Sequence, residues 1–217
     1  MLKLSAARLR EVTMNPMLPA GMQQDLVLAS ASPRRAQILE MLQFDFTVHA
    51  TRVEDAADAH RDPVLHATNL ARLKADDAAA RWTRHRCIGA DTIVVIDGDV
   101  LEKPRSPEEA FEMLARLRDR WHTVHTAVAI VRHDRDLRLD AVASTEVRFN
   151  PCSDDFLRAY IATGECDDKA GAYAIQGLGA LLVREVRGCY FNVMGFPVTR
   201  FIELLREFHA REVAHAR

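Results

Sequence analysis

The chain has 217 residues, with 29 Lys plus Arg against 31 Asp plus Glu, so its formal net charge is −2 with nine His counted neutral. That balance excludes a protein that coats nucleic acid or an anionic membrane, since either needs a large basic excess, but leaves small anionic ligands open. With 48% hydrophobic and 28% charged residues the composition is that of a folded globular protein, and no apolar run approaches the ~20 residues of a bilayer span.

Residues 1–24, interrupted by Pro16, Pro19 and Gly21, are expected to form a flexible extension without the apolar core of a secretory signal, and residues 25–217 a single two-lobed domain. Leu26–Ala29 reads as a short strand. Ser32-Pro33 opens a helix whose apolar face is Ile38, Leu39 and Leu42. A second strand from Phe46 to His49 leads into an acidic loop, and Pro63 opens a long helix, ending near Trp82, with Ala67, Leu70 and Leu73 on one side. Residues 87–96 alternate toward β, with the hairpin signal Asp97-Gly98 before Val100 and Leu101. Ser106-Pro107-Glu108-Glu109 is a capping box for a helix to about Arg118. Two strands, Thr123 to Val131 and Leu139 to Phe149, join through a polar turn around Arg135. Ser153 caps a short helix ended by Gly164. After the Gly-rich stretch 171–179 come a strand over 181–186 and a closing helix from Thr199 to about Arg211. Early alternation of strand and helix with two tight strand-to-strand turns predicts an α/β fold with a mixed sheet and flanking helices.

Three segments carry chemistry. Ser30-Ala31-Ser32-Pro33-Arg34-Arg35 puts a strand end, a helix N-terminus and two guanidinium groups together, a set suited to phosphate or equally to an ordinary N-cap with two solvated Arg. Asp91, in Gly89-Ala90-Asp91-Thr92, interrupts an apolar strand, which costs free energy unless the carboxylate meets a cleft, a metal or a partner. Lys103, before Pro104, is biased to an extended conformation. The third segment, residues 167–177, holds Lys169, small residues and Gln176, whose amide can read a nucleobase edge with a donor and an acceptor. Glu54, Asp55 and Asp58 could gather a hard cation with Asp91. His122 and His125, three apart in a strand, point to opposite faces and make no zinc pair. Cys87, Cys152, Cys166 and Cys189 form no C-x-x-C pair, which predicts reduced thiols and a cytoplasmic setting.

The strings LASASPRR, GADTIVV followed by LEKP, DKAGAYAIQG and NVMGFP, in this order, resemble the Maf family of nucleoside triphosphate pyrophosphatases from about Leu26 to Leu205. The resemblance implies a two-lobed α/β fold around a nucleotide cleft and hydrolysis of a nucleoside triphosphate to the monophosphate and pyrophosphate with Mg²⁺ or Mn²⁺. Thr92 and Gln176 match the branch associated with dTTP and UTP, with modified pyrimidine nucleotides as further substrates. Carried over residue by residue, it makes Asp91 the proton acceptor and Arg34, Thr92 and Gln176 the determinants of substrate choice. The same carry-over implies that Ser30, Arg35, Lys103 and Lys169 hold phosphates and that Glu54, Asp55 and Asp91 gather the metal. It further implies a homodimer acting in the cytoplasm on free nucleotides, with no nucleic acid or membrane partner. Two alternatives stay open: a nucleotide-binding regulator of septum formation with incidental catalysis, and a pyrophosphatase of a purine or 7-methyl-GTP substrate. Two positions depart from the family pattern. Asp55 stands where Glu is common, and Gln43 stands where Gly commonly ends the first helix, so that helix is expected to end differently.

Overall fold

The computed structural model describes residues 14–51, 53 and 62–215. Among the described residues seven strands form one sheet, β1 (Leu26–Ala29), β2 (Phe46–Val48), β3 (Arg86–Ile96), β4 (Asp99–Leu101), β5 (Trp121–Arg132), β6 (Leu137–Phe149) and β7 (Val183–Arg187), in the order β2-β1-β3-β5-β6-β7 with β4 beside β3. β2 and β3 both run parallel to β1, whereas β5, β6 and β7 join as an antiparallel meander, so the sheet is mixed as its connections require. The β3–β4 hairpin turns on Asp97 and Gly98, both at positive φ, the backbone a two-residue type I′ turn demands.

The helices are α1 (Pro33–Met41), α2 (Pro63–Arg81), α3 (Pro107–Leu117), α4 (Asp154–Ile161), α5 (Tyr190–Val193) and α6 (Val198–His215). Alternate strand residues feed opposite layers. Leu26 and Leu28 of β1 and Val128 and Ile130 of β5 pack with Ile38 and Leu39 of α1 and Phe201, Leu205 and Phe208 of α6. Their neighbours Val27, Ala29, Ala127, Ala129 and Val131 pack on the Ala67, Ala71, Ala75 and Ala78 stripe of α2. A third cluster places Met113, Leu114 and Leu117 of α3 and Leu157 and Tyr160 of α4 against Val94, Val124, Val147 and Phe149.

Small residues let α2 lie unusually close to the sheet. A Cβ on Gly89 would fall 2.0 Å from the carbonyl oxygen of Ala71, so only glycine fits there. The buried side of α2 is this Ala stripe with Leu70 and Lys74, and Leu73, expected beside Leu70, is exposed instead.

Helix ends differ in detail from the sequence reading. Ser32 makes no side-chain cap; its N–H instead donates to Ser30 Oγ at 3.2 Å. Ser106 accepts from Glu109 N–H as a capping box predicts, but the Glu109 carboxylate accepts from Arg105 N–H, one residue before the cap. At the end of α1, Phe44 N–H donates to Leu39 O and Gln43 N–H to Glu40 O, with Gln43 at φ +59. This is the Schellman pattern, so the helix ends just as it would with glycine, and glutamine occupies the left-handed position at a cost. Of the 24 residues set apart as an extension, 14–24 pack on the domain. Met22 and Gln23 are buried, Gln23 bonds Asn15 and Leu18, and Arg86 donates to Gly21 O at 2.8 Å. The rest of that segment lies outside the described residues. Two short elements carried no clear signal, α5, which overlaps the start of NVMGFP, and the 3₁₀ turn Gly177–Leu182, which precedes β7 and delays its start to Val183. Among the described residues no helix is long and apolar enough to cross a membrane.

Candidate active site

Along one edge, β3 pairs with β1 through Arg86–Gly89 and with β4 through Val94–Ile96. Between these partners, residues 90–93 meet no described strand on that side, because β1 has ended and the chain has turned into α1. The break opens a cavity of about 440 Å³, a size suited to a small-molecule ligand. Asp91 and Thr92 stand at the break, and since strand neighbours point to opposite faces they serve different networks.

Asp91 faces α2. Lys74 Nζ lies 2.8 Å from its Oδ1, and the two side chains are only 4% and 13% exposed. Lys74 went unnoticed in the sequence, yet a signal existed: it falls in register with the apolar stripe Ala67, Ala71, Ala75 and Ala78, where a lysine needs a partner.

Thr92 faces α1. Buried Arg35 donates to three neutral acceptors, Gly195 O at 2.8 Å, Ser30 Oγ at 3.0 Å and Thr92 Oγ1 at 3.3 Å. Thr126 Oγ1 donates its one proton to Asn192 O at 2.9 Å, which makes Thr92 the donor in the 3.0 Å contact between the two hydroxyls. Thr126, Asn192 and Gly195 had no legible role, because each reaches the site only through pairing across the sheet or through α5. Arg35, read as a phosphate ligand, is therefore also a strut that fixes Ser30, Thr92 and the turn at Gly195.

The remaining wall comes from the β4–α3 loop and the stretch after α4. Lys103, Lys169 and Gln176 line the cavity with Arg34. Asp168 pairs with Lys169 and lies 3.8 Å from Arg34. Burial alone would raise its pKa, but these two cations outweigh that and hold the carboxyl below the usual range. Gly171 N–H donates to Glu102 O at 3.0 Å, which docks this stretch beside Lys103. The described lining residues include five basic side chains, Arg34, Arg35, Lys74, Lys103 and Lys169, against two carboxylates, Asp91 and Asp168. An overall charge of −2 thus conceals an excess of three positive charges among the described lining residues.

Ser30, Arg34, Arg35, Asp91, Thr92, Lys103, Lys169 and Gln176 all line this one cavity. Glu54 and Asp55 lie outside the described residues. Among those described, no cluster of three His, Cys, Asp or Glu could hold a metal. His122 is buried against Tyr173 with Nε2 2.8 Å from its hydroxyl, and His125 meets Ser144 instead, so the pair diverges as its spacing predicts.

Such a fold, with a cationic cleft opening at a break in its central strand, defines an α/β protein built to receive a small polyanion. The chain belongs to the Maf family: the family described as Maf-like protein matches residues 25–208. It is 48% identical over 183 residues to the dTTP/UTP pyrophosphatase of Moorella thermoacetica, covering 84% of this chain and 94% of that one. Identity to the dTTP/UTP pyrophosphatase of Bacillus velezensis is 44% over 190 residues, 88% of this chain and all of the relative. The enzyme of the same name from Pyrococcus furiosus is 40% identical over 184 residues, 85% of this chain and 95% of its own.

Proposed function

We propose that this protein hydrolyses dTTP and UTP to the nucleoside monophosphate and pyrophosphate. The observation that carries the reading is a carboxylate, Asp91, held by Lys74 at the floor of a cavity whose other charged groups are mostly cationic. The names of the relatives in the Maf family support the substrate class.

In this reading the triphosphate lies toward the N-terminus of α1, where backbone N–H groups, Ser30, Arg34 and Arg35 complement phosphate oxygens. Lys103 and Lys169 stabilise the charge that develops on the departing pyrophosphate. Asp91 takes a proton from the attacking water as the new bond to the α-phosphorus forms and the bond to the bridging oxygen breaks. Lys74 orients that carboxylate. Gln176 offers the base a donor and an acceptor from one side chain, and Thr92 and Arg34 join it in substrate choice.

A divalent cation fits the chemistry of the donor set. Asp91 is a hard oxygen ligand, and Mg²⁺ or Mn²⁺ is commonly held by one or two carboxylates together with substrate phosphates. Asp91 with Glu54 and Asp55 would hold it. When bound, it supplies Lewis-acid polarisation of the phosphoryl oxygens and eases deprotonation of water. The enzyme works in the cytoplasm as a homodimer on free nucleotides, its chain from residue 25 onward acting as one two-lobed domain.

Hydrolysis of dTTP in ¹⁸O-labelled water with Mn²⁺ tests the reaction. The label is expected in the monophosphate with unlabelled pyrophosphate released. Label in pyrophosphate, or orthophosphate as the first product, would refute attack at the α-position. Full turnover in excess chelator would refute the metal requirement.

A further inference from the structure

The cavity wall that carries Lys169 and Gln176 is closed on itself by a side chain outside the described lining, Glu165. Its Oε1 accepts from Gly179 N–H at 2.9 Å and from the Tyr160 hydroxyl at 3.3 Å, and its Oε2 accepts from Leu178 N–H at 3.0 Å. The Tyr160 oxygen in turn accepts from Ala174 N–H at 3.1 Å. Gln176 is thereby gripped on both sides, through Ala174 before it and through Leu178 and Gly179 after it.

Gly177 completes the grip. It stands at φ +68, and a Cβ there would fall 2.5 Å from Glu165 Oε2, so the backbone next to Gln176 is laid directly against the carboxylate. Tyr160, on the buried side of α4, packs in the core, which gives the grip a rigid base. Burial would raise the Glu165 pKa, yet the N–H groups of Gly179 and Leu178, the Tyr160 hydroxyl and nearby Lys169 more than offset it and hold the carboxyl below its usual range. Among the described residues Glu165 is the carboxylate that meets those two N–H groups, and an amide in its place would turn an NH₂ toward a donor.

We propose that Glu165, backed by Tyr160, is a positioning residue for nucleobase selection that sets the direction in which Gln176 presents its amide to the pyrimidine. The proposal rests on the reading of Gln176 as the side chain that meets the base.

The test compares Glu165→Gln, Tyr160→Phe, Gln176→Ala and the double variant Glu165→Gln/Gln176→Ala, each with kcat and KM for dTTP, UTP and dCTP in Mn²⁺, a melting curve and amide hydrogen exchange. Glu165→Gln is expected to raise KM for dTTP and UTP about tenfold, to leave kcat within about threefold, and to lower the preference for dTTP over dCTP about tenfold. Exchange at Leu178 and Gly179 should quicken. In the double variant the preference should fall no further than in Gln176→Ala alone. Should Glu165→Gln not fold, Tyr160→Phe carries the test, with the same direction of change and about a threefold smaller effect. An unchanged preference in a folded Glu165 or Tyr160 variant, with Gln176→Ala altering it, would overturn the proposal and leave the base reading intact. Effects that multiply in the double variant would also overturn it. An unaltered preference in Gln176→Ala alone would bring down the base reading, and the proposal with it, by a separate signature.

Discussion

Lys74 and Asp91 meet across the packed layer between α2 and β3, Nζ to Oδ1 at 2.8 Å, with both side chains nearly withdrawn from solvent. Removing one partner of such a pair leaves a buried charge with less compensation, which costs about 3 kcal/mol or more. Lys74→Met should therefore lower stability by about that amount in a urea titration, and Lys74→Met/Asp91→Asn should recover part of the loss. Asp91→Asn should slow dTTP turnover about a thousandfold while calorimetric affinity for the nucleotide changes only a few-fold. Equal loss of turnover and affinity would make Asp91 a binding group.

The approach that brings Lys74 to Asp91 depends on Gly89. Alanine there would put a methyl carbon 2.0 Å from Ala71 O and 2.7 Å from Ala75 N, both backbone atoms that cannot swing aside. Gly89→Ala is expected to destabilise the fold by about 3 kcal/mol, the upper range for overpacking, by forcing α2 off the sheet. Activity per folded molecule should fall as well. A variant of wild-type stability would mean that α2 yields readily.

Gln43 offers the opposite change. It holds the left-handed position of a helix end already closed by Phe44 N–H to Leu39 O, so its side chain contributes strain that glycine lacks. Gln43→Gly should stabilise by about 1 kcal/mol and raise Tm by roughly 2–4 °C. A lower Tm would show that unfolded-state entropy dominates there.

Burial pushes the His122 pKa down from 6.5 to about 4. Between those values the unfolded chain binds a proton that the folded protein refuses, so stability is complete above about pH 6.5 and declines as pH falls toward 4. From pH 7.5 to pH 5 this amounts to about 2 kcal/mol. His122→Gln, which keeps a partner for the Tyr173 hydroxyl, should lose about that much less over the same interval in paired urea titrations. Parallel losses in the two proteins would mean that His122 is already protonated in the fold.

Local chemistry decided a large part of this molecule. Asp97-Gly98 specifies its turn because both residues tolerate positive φ, Ser106 and Ser153 cap helices through their own hydroxyls, and Pro33, Pro63 and Pro107 start helices because they need no N–H partner. The motif strings were equally legible, and Asp91 announced itself as a charge in an apolar strand. At the start of α1 the expected cap does not form: the Ser32 hydroxyl accepts from no N–H of the first turn, and the Ser32 N–H itself donates to Ser30 Oγ.

The near-neutral total charge is a property of the sequence alone, and the expectation against large polyanionic partners rests on it. Only the tertiary structure brought five described basic side chains and two described carboxylates to one cavity, opened the edge of β3 between β1 and β4, set Lys74 against Asp91, and closed Glu165 on the backbone beyond Gln176. The physical reason is range. Turns and caps are settled by atoms a few residues apart, whereas these contacts depend on strand pairing and helix packing that bring distant segments together, which no local pattern encodes.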